Sequence, residues 1–189
     1  GFSSYYVRTQ ERVLLDERVS IAQAIAQELS GFFSRGTARL QTVATLPALV
    51  YGLQTLEEER EGKQITAWTT LHYLLYESDV FSNVYLINAT GKVLWNEPPD
   101  QDSIQTQFAG FDEIRKNLET AHGEVTFQLS EMASGLDLLV VAPVTEPGGG
   151  IVGMVVGTIQ RSNPSIHAIL GRIGKEHGTV QLVDEQSKR

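Results

Sequence analysis

The chain contains no cysteine. Disulfides, thiol nucleophiles and cysteine-ligated zinc sites are therefore excluded together. Basic residues are also scarce, with 15 Lys and Arg against 23 Asp and Glu, for a net charge of −8. A nucleic-acid surface needs a basic patch or stripe, and so negative a balance argues against that role. Long apolar runs are missing too. Spanning a bilayer takes about 20 apolar residues, and the longest run here, Leu136–Val144, is already broken by Asp137 and Pro143. No signal-peptide pattern is visible, and a chain starting at Gly1 rather than Met reads as a processed or trimmed piece.

The chain has 189 residues, 41% of them hydrophobic. That suits one large domain, or one domain with a fragment of another, able to bury about two-thirds of its unfolded surface. From Val13 to Leu46, apolar or small residues recur in steps of three and four, at Ala22, Ile25, Leu29, Phe32, Gly36, Leu40, Val43 and Leu46. This spacing predicts one long helix, ended or kinked by Pro47. A second helix is expected from Ala48 to about Glu61, ending in the solvated acidic run Glu57–Glu59, and a third from Ile65 to Glu77. The period then changes to two. Five strands are expected: Asn83–Asn88, Lys92–Asn96, Glu124–Leu129, Leu136–Val144 and Ile151–Ile159, with a short helix at Phe111–Ala121. Asn88–Lys92 reads as a tight hairpin with Gly91 at positive φ, and Glu146–Gly150 as a flexible one. Consecutive hairpins imply an antiparallel sheet and the α+β class.

Ser162-Asn163-Pro164 then opens a last helix, with Gly178 as its expected stop. The segment Val180–Lys188 lines up with Val84–Lys92 at an offset of 180 − 84 = 96 residues. We read it as the first strand of a second, truncated module. Three regions result: 1–62, helical; 63–161, a complete α+β module; and 162–189, a linker helix with the start of the next module.

No catalytic constellation is present. His72, His122, His167 and His177 show no ligand spacing, Asp100 and Asp102 fit a turn better than a calcium loop, and Gly148–Gly150 lacks the lysine of a phosphate loop. Neither enzyme activity, metal nor cofactor is expected. Strict alternation across a three-residue hairpin loop places Tyr85 opposite Trp95, sharing a face with Ile87 and Val93, while Val84, Leu86 and Leu94 take the other. Both faces are apolar, so both are expected to be covered: one by the long helix, one by Pro98–Ala121 with Phe108 and Phe111. The candidate ligand site is Tyr85, Trp95, Asn96, Glu97, Phe108, Phe111 and Arg115. It has aromatic walls, a polar strand end, Glu97 for an amine or hydroxyl, and Arg115 for a carboxylate. An ordinary aromatic core cluster is the competing reading of the same residues.

A long helix followed by V-Y-L-I-N-A-T-G-K-V-L-W-N-E-P, L-L-V-V-A-P-V and I-V-G-M-V-V-G-T-I resembles the membrane-distal half of a double Cache sensor domain. These are the PAS-like extracellular sensors of bacterial histidine kinases, chemoreceptors and cyclic-di-nucleotide enzymes. The resemblance covers nearly the whole chain. It implies a five-stranded antiparallel sheet flanked by helices, a small-molecule pocket in the distal module, and membrane-spanning helices just outside both ends. A periplasmic or extracellular place on an inner-membrane protein follows from it. The ligand would be an organic acid, an amino acid or an amine. The aromatic–arginine–tryptophan–tyrosine cluster by which some members bind amino acids has no counterpart, because Trp95 is followed by Asn96 and Glu97. Ligand sensing, with a homodimer formed through the N-terminal helix, is the leading expectation. A ligand-free dimerisation ectodomain is the alternative.

Overall fold

Five strands form one antiparallel sheet in the order β2-β1-β5-β4-β3 in the computed structural model, which describes residues 2–55, 69–132 and 135–177. The strands are β1 Asn83–Asn88, β2 Val93–Glu97, β3 Thr126–Met132, β4 Gly135–Thr145 and β5 Ile151–Ile159. The helices are α1 Phe2–Ala44, α2 Pro47–Thr55, α3 with residues 69–76 described, α4 Phe111–Thr120 and α5 Pro164–His177. The architecture is the expected α+β arrangement of long helix and five-stranded sheet. Residues 178–189, which carry the proposed repeat, lie outside the described residues, as does the acidic run of residues 57–59.

Two compact units divide the chain: residues 1–33 with 164–189, and residues 34–163. In the first, Leu29, Phe32, Ile166 and Ile169 are buried, and the rings of Phe32 and Phe33 meet edge to face at 5.5 Å. Val13, Leu14, Leu15 and Val19 are exposed. The helical period is borne out along α1, where Leu29, Phe32, Gly36 and Leu40 are all buried.

The second unit holds the sheet. One face, here the rear, carries Val84, Leu86, Val140, Ala142, Val144 and Val155, and it packs against α2 and Phe81 of the loop after α3, which in turn meets Gly36 of α1. Glycines permit the closest approaches. A Cβ at Gly36 would sit 2.7 Å from Val80, one at Gly153 would sit 2.8 Å from Leu53, and one at Gly157 would sit 2.4 Å from the Phe81 ring. Gly36 therefore serves packing where helix propensity alone would disfavour it. Pro47 begins α2 two residues after α1 has ended, as its lost N–H and fixed φ require.

The front face is covered as expected by the chain between β2 and β3. Ile87, Val93, Leu139, Val141, Met154 and Val156 pack against Phe108 and against Phe111, Ile114 and Leu118 of α4. The Asn88–Lys92 hairpin forms as read. Asn88 Oδ1 accepts bonds from the N–H groups of Thr90 and Lys92, and Gly91 takes φ 90°.

The register of β1 and β2 differs from strict alternation. Leu86 pairs with Trp95 but Ile87 pairs with Val93, so Leu94 is an extra residue in a β-bulge. Val93 is drawn outward, its N–H donating to Thr106 O and its carbonyl accepting from Gln105 N–H. The bulge reverses the faces beyond it, and Tyr85 stands opposite Asn96 rather than Trp95.

Close packing at Gly157 generates a test. Gly157→Ala should cost about 1–3 kcal/mol and lower the melting temperature by several degrees. Adding Phe81→Leu, which clears the contacted ring, should recover part of that loss in a double-mutant cycle. Strictly additive losses would show that the Phe81 contact is not the constraint.

Candidate functional site

Toward the Asn83 end of β1, the front face turns polar. Asn83 pairs with Thr158, and Thr158 also pairs with Leu139, two residues from Asp137. Side chains directly paired across strands share a face, so Asn83, Tyr85, Asp137 and Thr158 all point toward the cover. A cavity of about 390 Å3 opens there. Its walls are Asn83, Tyr85 and Thr158 from the sheet centre, Asp137 from β4, and Ser103, Thr106, Gln107, Phe108 and Ala109 from the covering segment. Val93, Met132, Glu131 and Gln160 complete the lining. Glu131 pairs with Leu136, so alternation turns its side chain to the rear and it gives the wall mainly backbone.

Phe108 and Tyr85 form the aromatic wall, their rings meeting edge to face at 5.2 Å. Asp137 is only 3% exposed, and Thr158 is fully buried with its Oγ1 lacking a hydrogen-bond partner. A buried hydroxyl left unbonded is costly unless something enters to meet it. Among the described residues that line the cavity there is no lysine, arginine or histidine. Burial raises the Tyr85 phenol above its ordinary pKa of 10.0, and the carboxylates of Asp100 and Asp137 push it in the same direction.

Of the seven residues proposed from sequence, Tyr85 and Phe108 are brought together in this lining. Phe111 lies in the adjoining dry core. Asn96 shares the face of Tyr85, and its Oδ1 accepts the N–H of Asp100, which shapes the turn at Asp100–Ser103. Trp95 and Glu97 are carried to the rear face by the bulge at Leu94. There Glu97 Oε1 lies 3.1 Å from His72 Nδ1 of α3. Arg115 is exposed on α4, 3.9 Å from Glu119. Asp137, Thr158 and Asn83 were missed. Their signal was present as polar residues at inward-facing positions of otherwise apolar strands. No cluster of metal-ligating side chains occurs among the described residues.

This topology, a five-stranded antiparallel sheet with a long helix ahead of it and a cavity between sheet and cover, is a PAS-like α+β fold. No protein-family model and no curated protein sequence matches the chain. Solved structures do match. The sensor domain of the histidine kinase DctB from V. cholerae superposes with a TM-score of 0.67 at 17% identity, over 85% of this chain and 60% of that one. An extracellular ligand binding receptor from Desulfohalobium retbaense gives 0.62 at 21% identity, over 84% and 27%. The ligand binding domain of the Pseudomonas aeruginosa amino acid chemoreceptor PctC, in complex with GABA, gives 0.57 at 16%, over 86% and 67%. The chain thus spans about a quarter to two-thirds of these proteins' lengths. At these identities the likeness establishes the fold. Among the described residues, no helix is long and apolar enough to cross a membrane.

The environment of Tyr85 predicts a spectroscopic signature. Its raised pKa means that folding favours the neutral phenol. The stability so contributed is fully present below the unfolded-state pKa near 10 and is lost as pH rises through the folded-state value. Phenolate absorbance should show a late-titrating tyrosine above pH 10 that Tyr85→Phe removes. The variant should also lose less stability than the parent across that range.

Proposed function

We propose that this chain is the ligand-sensing ectodomain of a bacterial transmembrane receptor: a histidine kinase, a chemoreceptor or a cyclic-di-nucleotide enzyme. It binds a small organic molecule and performs no catalysis of its own. The observation that carries this reading is the cavity of about 390 Å3 beneath the covering segment. It is near the small end of the usual range for ligand sites, about 300–1,000 Å3. The likeness to ligand-binding sensor structures supports it.

Ligand and output occupy opposite faces of one sheet. Strands β1 and β5 line the cavity in front, and behind it β5 meets α2 and Phe81, which in turn meets Gly36 of α1. A ligand that binds one arrangement of these layers better than another shifts the population toward it, and α1 carries the shift away along its length. The exposed apolar residues Val13, Leu14, Leu15 and Val19 suit packing against a second copy of the chain. A periplasmic position, with flanking helices anchoring both ends, accords with this role.

A thermal-shift screen of organic acids, amino acids and amines tests the reading. A true ligand at a hundredfold excess over its Kd should add about 2.7 kcal/mol of stability. Ala109→Trp, at an exposed position on the cavity wall, should abolish that gain without unfolding the chain. No stabilisation by any class would favour the empty dimerisation domain instead. In sedimentation, the chain should form a dimer that Leu15→Glu dissociates; a strict monomer at high concentration would remove the second copy.

A further inference from the structure

We propose that the outer edge of β3, with the rear face of β3 and β4 beside it, docks an extended cationic segment of a partner protein as a sixth strand of the sheet. The surface uses the face opposite the cavity, and the inference goes beyond the sensing role.

The two edges of the sheet differ. Strand β2 is short, bulged at Leu94, and bonded through Val93 to residues 105 and 106. Strand β3 pairs on one side only among the described residues, with β4, in unbroken register from Thr126↔Val141 to Met132↔Gly135. Its seven residues include no proline and no lysine, and no bulge interrupts them, so the usual guards of an exposed edge are missing. Alternate N–H and C=O groups of such a strand point outward, in position to bond another strand.

The rear face beside this edge is apolar and uncovered. Phe127 is 47% exposed, Leu129 38% and Leu136 56%. Phe127 pairs with the buried Val140 and Leu129 with the half-buried Leu138, so the patch runs without a break from the packed core to the edge. An added strand with apolar side chains at alternate positions extends that surface and covers both edge residues.

Charge selects the partner. Glu131 is exposed on the same rear face, paired with Leu136. From Asn117 to Gln160 the chain carries five carboxylates (Glu119, Glu124, Glu131, Asp137 and Glu146) and no lysine or arginine. A lysine or arginine on the incoming segment therefore meets Glu131 with no competing cation from β3, β4 or β5. A second copy of β3 brings the same cation-free stretch and leaves Glu131 unmatched, which favours a different, basic partner.

Fluorescence anisotropy with a labelled nine-residue peptide tests the site. The peptide has a lysine at each end and alternates threonine and valine between them, so that three valines and both lysines share one face. Matched peptides carry glutamate in place of lysine, or proline in place of a central threonine. The lysine peptide should bind, and the glutamate and proline peptides should bind at least fivefold more weakly. Phe127→Lys should weaken the lysine peptide by roughly tenfold or more. Glu131→Lys, at an exposed position, should weaken it by about fivefold and strengthen the glutamate peptide, a readout that stands even if Phe127→Lys does not fold. Ala109→Trp, on the cavity side, should leave both peptides unaffected, which separates this site from ligand sensing. Binding of the lysine peptide that ignores both Phe127→Lys and Glu131→Lys would be attraction to the net charge of −8 and would overturn the proposal. Silence from every peptide would overturn it too. Self-association that Phe127→Lys abolishes in sedimentation, with the peptides silent, would assign the edge to a second copy instead.

Discussion

Strands β2 and β3 are consecutive in the chain yet lie at opposite edges of the sheet. The connecting segment must therefore cross one whole face, and the rest of the structure depends on that crossing. Along half of the face the crossing is dry: Phe108, Phe111, Ile114 and Leu118 settle on Ile87, Val93, Leu139, Val141, Met154 and Val156. Each such side chain contributes about 1.5–3 kcal/mol when buried, enough to anchor the segment without help from disulfides. Along the other half the sheet presents Asn83, Asp137 and Thr158. There the cover stands off and leaves a cavity.

The rear face is packed on a different principle. Gly36, Gly153 and Gly157 lack the Cβ atoms that would collide with Val80, Leu53 and Phe81, so helix, loop and sheet approach more closely than side chains would permit. Such contacts transmit displacement because close-packed interiors have little room to absorb it. Val156 and Gly157 are neighbours on β5, one facing the cavity side and the other Phe81. A single layer of strands thus separates the cavity from Phe81.

A one-residue bulge decides which side chains take part. Because Val93 bonds outward to residues 105 and 106, Leu94 becomes surplus and the faces of β2 exchange. Asn96 joins Tyr85 in front, while Trp95 and Glu97 go to the rear, where Glu97 finds His72. The bulge also puts Val93 in the cavity wall and lets residues 105–108 run along the sheet edge, guarding a strand that would otherwise present unpaired backbone groups.

Local pattern was enough to read most of the architecture. Three-four spacing marks α1 because its buried stripe must recur with the helical turn, and period-two alternation marks the strands because the pleat turns successive side chains apart. Gly91 marks the hairpin because only a residue free to take φ 90° closes it there. The meeting of Tyr85 and Phe108 in the cavity wall was legible for the same reason, since an aromatic on a covered strand face lies within reach of another on its cover. The sequence also showed Asp137 interrupting an apolar run, but not that it would line a cavity. Its place in the wall, like those of Thr158 and Asn83, depends on strand order, which puts residues far apart in the chain on adjacent strands of one face. The fate of Trp95 depends on a bulge caused by hydrogen bonds from a segment ten residues onward. Side-chain periodicity is a local property of the backbone and is written in neighbouring residues. Strand order and register are set by contacts between distant ones, and only the tertiary structure decides them.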